Sequence, residues 1–248
     1  MILFGEGLKA RLRGAMYSYE DLSAPSVQRV LREHGFKIED TSQRWLQARI
    51  VSIGSSRGSS GSLVSAKGLV LTNSHTLWPY LAKLGADGKT YQRDGFTAID
   101  YASEVKLPNL EVWVVDSTED VTAQIAKVRV DNPEANAKAL RKITLQLEGD
   151  SMRDTGMRSE VKFRYHGTTA HLYRYKRYTD VRLVWLPEFG VSFCEMHNFK
   201  HRAALDVSLL RVYNPDGTPA ETPNLAIASQ TLADGESVMA VGHPFQTS

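Results

Sequence analysis

Short runs of apolar residues, separated by polar or glycine-containing turns, dominate the chain and predict many β-strands. Runs of this kind, rich in valine, isoleucine and aromatic residues, are typical of strands. Few stretches show the 3.6-residue period of a helix. We therefore predict a mostly β fold, a barrel or sandwich that carries helical insertions. The predicted strands lie in IVSI (50–53), LVSAKGLVLTN (63–73, two strands around a Lys-Gly turn), NLEVWVVD (109–116), EVKFRYHG (160–167), HLYRYKRYTDVRLVWL (171–186), LDVSLLRVY (205–213) and ESVMAVG (236–242).

A first helix is predicted from Ser23, in SAPSVQRVLREHGF. Proline suits the first turn, where its missing N–H needs no partner, and Gly35 closes the pattern. The apolar side consists of Val27, Val30 and Leu31. Further along, SSRGSSGS (55–62) is predicted to be flexible because serine and glycine dominate it.

A second helix is predicted in DNPEANAKALRKITLQLEG (131–149). Asp131 or Asn132 is its expected N-cap, Pro133 lies in its first turn and Gly149 is its expected end. Apolar residues recur every four positions and give the helix one apolar face. These residues are Ala135, Ala139, Ile143 and Leu147.

Composition narrows the class of protein without identifying it. A chain of 248 residues, 42% hydrophobic and 23% charged, can bury a core in one large or two small domains. Its net charge of +2 gives no electrostatic reason to expect nucleic acid or an anionic membrane as partner. No run approaches the roughly 20 apolar residues of a membrane helix, and the first residues lack the apolar core of a secretory signal. Cys194 is the only cysteine, so no internal disulfide forms.

One histidine has the context of a general base. His75 follows the predicted strand GLVLTN, which would hold it on rigid backbone. A base of this kind needs a carboxylate, and Asp206 lies at the mouth of an apolar strand, where an acid is otherwise costly. Asp180 competes for this role, although Arg177 and Arg182 are close enough to be its salt-bridge partners. An ordinary turn histidine and a turn aspartate that bonds local backbone remain the alternatives.

The sequence offers no convincing nucleophile and no metal site. GSSRG (54–58) matches G-x-S-x-G at Ser56, but no strand–turn–helix context surrounds it. SSGS (59–62) resembles the serine loop of trypsin-like enzymes, yet in that fold the serine follows the histidine and the aspartate, so Ser60 or Ser62 is expected at the entry to a first barrel. No serine after Asp206 has a Gly-x-Ser-Gly setting. HExxH and CxxC patterns are absent, so no metal or other cofactor is expected.

The segment HLYRYKRYTDVRL (171–183) has a rival interpretation, since basic and aromatic residues interleave as in platforms that bind single-stranded nucleic acid. Alternation places Tyr173 and Tyr175 on one face, and Arg174 and Lys176 share the other with Tyr178. A strand of a barrel shows the same pattern. The nearly neutral charge favours the strand.

Several segments of the chain resemble those of a known family. GSLVSAKGLVLTNSHT (61–76) resembles the histidine segment of the dipeptidyl-peptidase 7 and dipeptidyl-peptidase 11 family, bacterial serine exopeptidases with a chymotrypsin-type double β-barrel and an inserted helical domain. The similarity continues from about Met16 to the last residue. It is carried by MYSYEDL (16–22), STEDVTAQI (117–125), TGMRSEV (155–161), HLYRYKRYTDVRLVWLPE (171–188), LDVSLLRVY (205–213) and GHPFQT (242–247).

The resemblance implies roles for four residues. His75 falls on the catalytic histidine of the family, and Asp206 on its catalytic aspartate. Asn198 and Phe199 resemble the Asn-aromatic pair that lies near the free α-amine of the substrate. The segment before Asp206 lacks the Gly-Gly-Asp and Tyr/Trp-Pro-Arg motifs that are usual in the family. Two further departures are Ser74, where a second histidine is usual, and Thr76, where a cysteine is common.

The resemblance also sets the functional expectation: a serine-type dipeptidyl aminopeptidase, active on oligopeptides, without a cofactor and without nucleic-acid or membrane partners. We expect residues 1–15 to be an extension and residues 16–248 to be the front part of a peptidase domain, whose helical domain and serine come several hundred residues later. A homodimer and a periplasmic or cell-surface location are implied by resemblance only. Gly68–His75 also resembles a segment of HtrA-like endopeptidases, so an endopeptidase of that kind is one alternative. A truncated or degenerate non-catalytic homologue is the other.

Overall fold

A computed structural model describes residues 2–5, 17–36, 42–189 and 205–243. The chain divides into two compact units, Met1–Trp113 with Tyr178–Ser248, and Val114–Arg177. The strands are β1 Ile2–Gly5, β2 Ile50–Ile53, β3 Ser59–Leu63, β4 Leu69–Thr72, β5 Phe96–Thr97, β6 Val105–Lys106, β7 Val112–Asp120, β8 Arg158–Arg164, β9 Thr169–Tyr178, β10 Asp180–Leu186, β11 Ser208–Tyr213 and β12 Val238–Val241. The α-helices are α1 Pro25–Glu33, α2 Ser42–Gln47, α3 Trp78–Leu81, α4 Ala86–Asp94, α5 Thr122–Ala126 and α6 Pro133–Thr155.

An antiparallel sheet forms the framework of the first unit. Its strands follow the order β5-β10-β11-β4-β3-β2, and β6 also pairs with β10. Within the described residues of this unit no pairing closes the sheet into a barrel. The prediction of a mostly β fold with helices is confirmed. β12 pairs with β1 in a separate two-stranded sheet.

The β3–β4 hairpin, which leads to His75, confirms the predicted Lys-Gly turn and corrects the prediction for the serine-rich segment. Gly68 has φ +70°, and a Cβ there would lie 2.7 Å from the Val212 carbonyl oxygen, so only glycine fits. The segment Ser59–Leu63 is a strand rather than a flexible loop. Its backbone pairs with β2 on one side and β4 on the other, and these ladder hydrogen bonds outweigh the poor strand propensity of serine and glycine.

The core of the first unit follows the period-2 pattern of its strands. Side chains that point to one face of a strand are buried together, whereas their neighbours face outward. This burial holds two strands in a fixed register: β4, which precedes His75, and β11, which follows Asp206. The fully buried residues of these central strands include Val70, Val181, Leu183, Leu210 and Val212.

Helix α1 is confirmed as predicted. Pro25 occupies its first turn. The helix ends at Glu33, and Gly35, at φ +80°, lies in the turn that follows. Val27 and Leu31 are buried, and they pack in a small cluster with Tyr19 and Leu22. Val30 is only partly buried.

Helix α6, in the second unit, is longer than predicted. The Asn132 side chain caps it by accepting a hydrogen bond from the Ala135 N–H at 3.0 Å. Gly149 does not end it: the helix continues to Thr155, and Gly156 at φ +70° is the C-cap. Leu140, Ile143 and Leu147 pack against the cluster that contains Val161 and Leu172, and this packing outweighs the roughly 1 kcal/mol helix penalty of glycine. Ala135 of the predicted face is exposed.

Candidate active site

Two adjacent strands bring His75 and Asp206 together. β4 and β11 are antiparallel, and Thr72 pairs with Ser208 at the end of the ladder. Continuing this register by two residues places Ser74 level with Asp206. The sheet thus joins two segments that are far apart in sequence.

A short 3₁₀ turn, Ser74–Leu77, carries the histidine. The turn is tied to the neighbouring segment because the Asn73 side chain donates to the Asp206 carbonyl oxygen at 2.9 Å. Within the turn, the Thr76 hydroxyl donates to the Asn73 carbonyl oxygen at 2.7 Å. Leu77 is fully buried and anchors the end of the turn in the core. The backbone of His75 is therefore held from several sides, as a positioned base requires.

The imidazole of His75 contacts the carboxylate of Asp206 directly. The distance from His75 Nδ1 to Asp206 Oδ2 is 2.5 Å, so Nδ1 carries a proton and donates it to the carboxylate. The other ring nitrogen, Nε2, makes no hydrogen bond within the described part of the chain, and the side chain of His75 is 50% exposed. This tautomer leaves Nε2 as a hydrogen-bond acceptor on a half-exposed side chain.

The Asp206 carboxylate accepts two further hydrogen bonds at Oδ1. One comes from the Ser74 hydroxyl at 2.7 Å and the other from the backbone N–H of His75 at 3.0 Å. Burial by itself raises the pKa of Asp206, but the hydrogen bonds from Ser74 and His75 and the charge of His75 outweigh it and hold the pKa below its usual value. The carboxylate is therefore ionised at neutral pH, ready to stabilise an imidazolium.

A pH dependence of stability follows from this lowered pKa. The ionised carboxylate stabilises the folded state above the pKa of an unfolded aspartate, about 3.9, and this contribution disappears as the pH falls through the lower folded pKa. We expect the difference in free energy of unfolding between the wild-type chain and Asp206→Asn to be greatest above about pH 4 and to shrink below it. Denaturant unfolding at several pH values measures it, and a difference that stayed constant under acid conditions would contradict the proposed stabilisation of the anion.

The other acid and the candidate serines lie elsewhere. Asp180 pairs with Arg182 at 3.0 Å, as an ordinary salt bridge. Ser60 hydrogen-bonds the backbone of His243, donating to its carbonyl oxygen and accepting from its N–H. Ser56 is buried. In the part of the chain that the structure describes, no serine hydroxyl forms a hydrogen bond with His75 Nε2.

Two further expectations for binding residues have different outcomes. Asn198 and Phe199 lie outside the described residues, so their predicted role stays a prediction. Tyr173 and Tyr175 are buried and stack on each other, with ring centroids 6.2 Å apart, so their faces are not open to nucleic-acid bases. Among the residues described, no three metal-ligating side chains lie close enough together to hold a metal ion. A search of the same residues finds no helix long and apolar enough to cross a membrane.

Ser74 is the site residue whose contact the sequence reasoning missed. In the sequence, Ser74 differs from the family motif at the position just before the histidine. No local sequence signal could have found it, because the contact depends on the strand register that places Thr72 opposite Ser208.

An antiparallel sheet that holds an imidazole against a carboxylate, with the second ring nitrogen open, is an arrangement that hydrolases use for general-base catalysis. The chain belongs to the Peptidase S46 family, whose model matches residues 13–248. The family predicted from the sequence motifs is confirmed.

The relatives that the chain matches are dipeptidyl-peptidases. It is 29% identical over 211 residues to the Asp/Glu-specific dipeptidyl-peptidase of Porphyromonas endodontalis, which covers 77% of this chain and 29% of that protein. It is 25% identical over 269 residues to dipeptidyl-peptidase 7 of the same species, covering 99% and 32% respectively. The crystal structure of P. endodontalis DPP11 in complex with the dipeptide Arg-Asp superimposes with a TM-score of 0.67 at 27% identity, over 84% of this chain and 32% of that one. The chain thus spans about a third of the length of these relatives.

Proposed function

We propose that this chain contributes the histidine and the aspartate of a serine-type dipeptidyl aminopeptidase. The observation that carries the proposal is the contact between His75 Nδ1 and Asp206 Oδ2, which fixes the tautomer and leaves Nε2 open. Membership of the Peptidase S46 family supplies the reaction class. The proposal extends to the fold, in which the open antiparallel sheet of the first unit represents a chymotrypsin-type first barrel.

In the proposed mechanism, a serine hydroxyl attacks the carbonyl carbon of the second peptide bond from the amino end of the substrate. His75 Nε2 accepts the hydroxyl proton and then transfers it to the leaving amine, so the C–N bond breaks and an acyl-enzyme forms. Water, activated by the same nitrogen, hydrolyses that ester and releases the dipeptide. Asp206 orients the imidazole and stabilises the imidazolium while it remains ionised.

The nucleophile is proposed to be a serine outside these 248 residues. Two observations support this. In the described part of the chain no serine hydroxyl bonds to His75 Nε2, and Ser60 is engaged by the backbone of His243. The relatives are about three times as long as the matched region, which leaves ample sequence for a serine loop.

Substrate selection by the free amino terminus is the second part of the proposal. Asn198, with Phe199 beside it, would position the α-ammonium so that the bond two residues further on meets the nucleophile. Solved structures of a relative contain dipeptides, namely Arg-Asp and Arg-Glu, which supports oligopeptides as the substrate class here. A periplasmic or cell-surface location and a homodimer remain proposals from family resemblance.

Chromogenic dipeptide substrates test the function. The protein produced from the whole reading frame that contains this chain is compared with the 248-residue chain alone, on substrates with a free amino terminus and with the same terminus acylated. We expect the whole protein to cleave only the free form and the chain alone to cleave neither. Cleavage of acylated substrates at internal bonds would favour an HtrA-like endopeptidase, and no cleavage by either protein would favour a non-catalytic homologue. Turnover by the chain alone, abolished by Ser60→Ala, would contradict an external nucleophile.

A further inference from the structure

The fully buried hydroxyl of Ser74 forms a third component of the His75–Asp206 pair. Its Oγ lies 2.7 Å from Asp206 Oδ1 and donates to it. The direction of donation is fixed because an ionised carboxylate only accepts hydrogen bonds. A hydrogen bond between a hydroxyl and a charged oxygen is stronger than one between neutral groups.

We propose that Ser74 is a positioning residue that fixes the rotation of the Asp206 carboxylate, so that Oδ2 faces His75 Nδ1. This inference rests on the proposed function of the pair. It assigns Ser74 no contact with the substrate or with the reacting atoms.

The geometry of the carboxylate carries the argument. The terminal torsion of an aspartate has a broad energy profile, so a carboxylate group rotates readily unless its oxygens are held. Oδ1 is held by two donors from different directions, the Ser74 hydroxyl and the His75 backbone N–H at 3.0 Å. The two donors together fix the position of Oδ1. Because the carboxylate is planar, the position of Oδ2 is then fixed as well, at 2.5 Å from His75 Nδ1. Removing the hydroxyl leaves Oδ1 with a single backbone donor, so the rotation is restrained only by that bond and by the contact of Oδ2 with His75 Nδ1.

The location of Ser74 makes this role independent of the substrate. The residue is buried, whereas the adjacent His75 side chain is half-exposed. The turn therefore buries the serine against the carboxylate and leaves the histidine side chain partly accessible to solvent. His75 is also the titratable group whose charge acts on Asp206.

The matched control lies on the strand that follows the aspartate. Ser208 is as fully buried as Ser74 and only two residues from Asp206, yet its hydroxyl makes no hydrogen bond within the described residues. Ser208→Ala therefore removes the same atom from the same neighbourhood without removing a contact to the carboxylate.

The test has a spectroscopic part and a kinetic part. In the 248-residue chain labelled with carbon-13 at the aspartate carboxyl groups, the Asp206 signal is titrated by NMR, and the Nδ1–H proton signal of His75 is followed. We expect Ser74→Ala to raise the pKa of Asp206 towards its usual value and to broaden the Nδ1–H signal, whereas Ser208→Ala leaves both unchanged. In the whole protein, Ser74→Ala should lower kcat about tenfold to a hundredfold with KM unchanged, since one charged hydrogen bond is lost.

The two parts separate failure of this inference from failure of the proposed function. An Asp206 titration and an Nδ1–H signal that are the same in Ser74→Ala as in wild type would overturn the positioning role, even where His75→Ala abolishes activity. Full activity of His75→Ala would overturn the proposed function, whatever the NMR measurements show. A drop in kcat in Ser208→Ala equal to that in Ser74→Ala would also overturn the inference, because it would trace the effect to packing.

Discussion

Replacing His75 with alanine is expected to lower kcat/KM of the whole peptidase by more than about 10⁴-fold, with no change in fold. In the proposed mechanism, the imidazole accepts the nucleophile's proton through Nε2. Knockouts of the base in serine peptidases have effects of this size or larger. The side chain is half-exposed and contributes little to the core, so its removal should leave the circular dichroism spectrum unchanged and lower the unfolding midpoint only by the loss of its contact with Asp206.

A double substitution sharpens this prediction. Asp206→Asn alone should lower kcat by about 10⁴-fold, because an amide does not hold the tautomer or stabilise the imidazolium. Because the proposed mechanism has Asp206 act only through the histidine, the double variant should be no less active than His75→Ala alone. Additive losses would show that Asp206 acts separately, and His34→Ala, at the end of α1, is the control expected to retain wild-type activity.

The second large expected effect is on stability. Glu104→Ala should lower the free energy of unfolding by about 3–5 kcal/mol, as measured by urea denaturation. The Glu104 side chain is 2% exposed, and its two oxygens accept from Arg211 Nε at 2.8 Å and from the Tyr213 hydroxyl at 2.7 Å. Removing the carboxylate leaves a guanidinium, itself only 12% exposed, without its counter-charge. An uncompensated charge in this environment is strongly destabilising.

Burial, together with the hydrogen bond to Glu104, raises the pKa of Tyr213 well above its usual value, so the phenol is a donor at neutral pH. Arg211 also donates to the Lys67 carbonyl oxygen at 2.7 Å. The network therefore fixes the end of β11 opposite the end that leads to Asp206.

A surface ion pair provides the control for Glu104. Glu221 pairs with Lys67 at 3.0 Å, and both side chains are largely exposed. Solvent screens such pairs, so Glu221→Ala should leave stability essentially unchanged. A comparable loss in the two variants would mean that burial is not the reason for the contribution of Glu104.

Local sequence pattern was sufficient for most of the strands and for helices α1 and α6, but it did not predict the short helices α2 to α5. The strand β4 before His75 and the helix α1 each depend on residues within a few positions of one another, so the pattern contains the information. For the cap of α6 the pattern left Asp131 and Asn132 open, and the structure selects Asn132. The errors arose where tertiary contacts override local preference. Ser59–Leu63 is a strand because two partners supply its hydrogen bonds, and α6 passes through Gly149 because its apolar residues pack on β8 and β9.

The sequence by itself determined the family, the candidate base His75 and the candidate acid Asp206, since these follow from residue type, strand context and motif wording. Only the tertiary structure decided that the two side chains touch, which nitrogen of His75 stays open, and that Ser74 joins them. The physical reason is that these facts depend on the register between β4 and β11, two strands distant in sequence. Register is set by the burial of one face of each strand against the whole sheet, and no short segment contains that information.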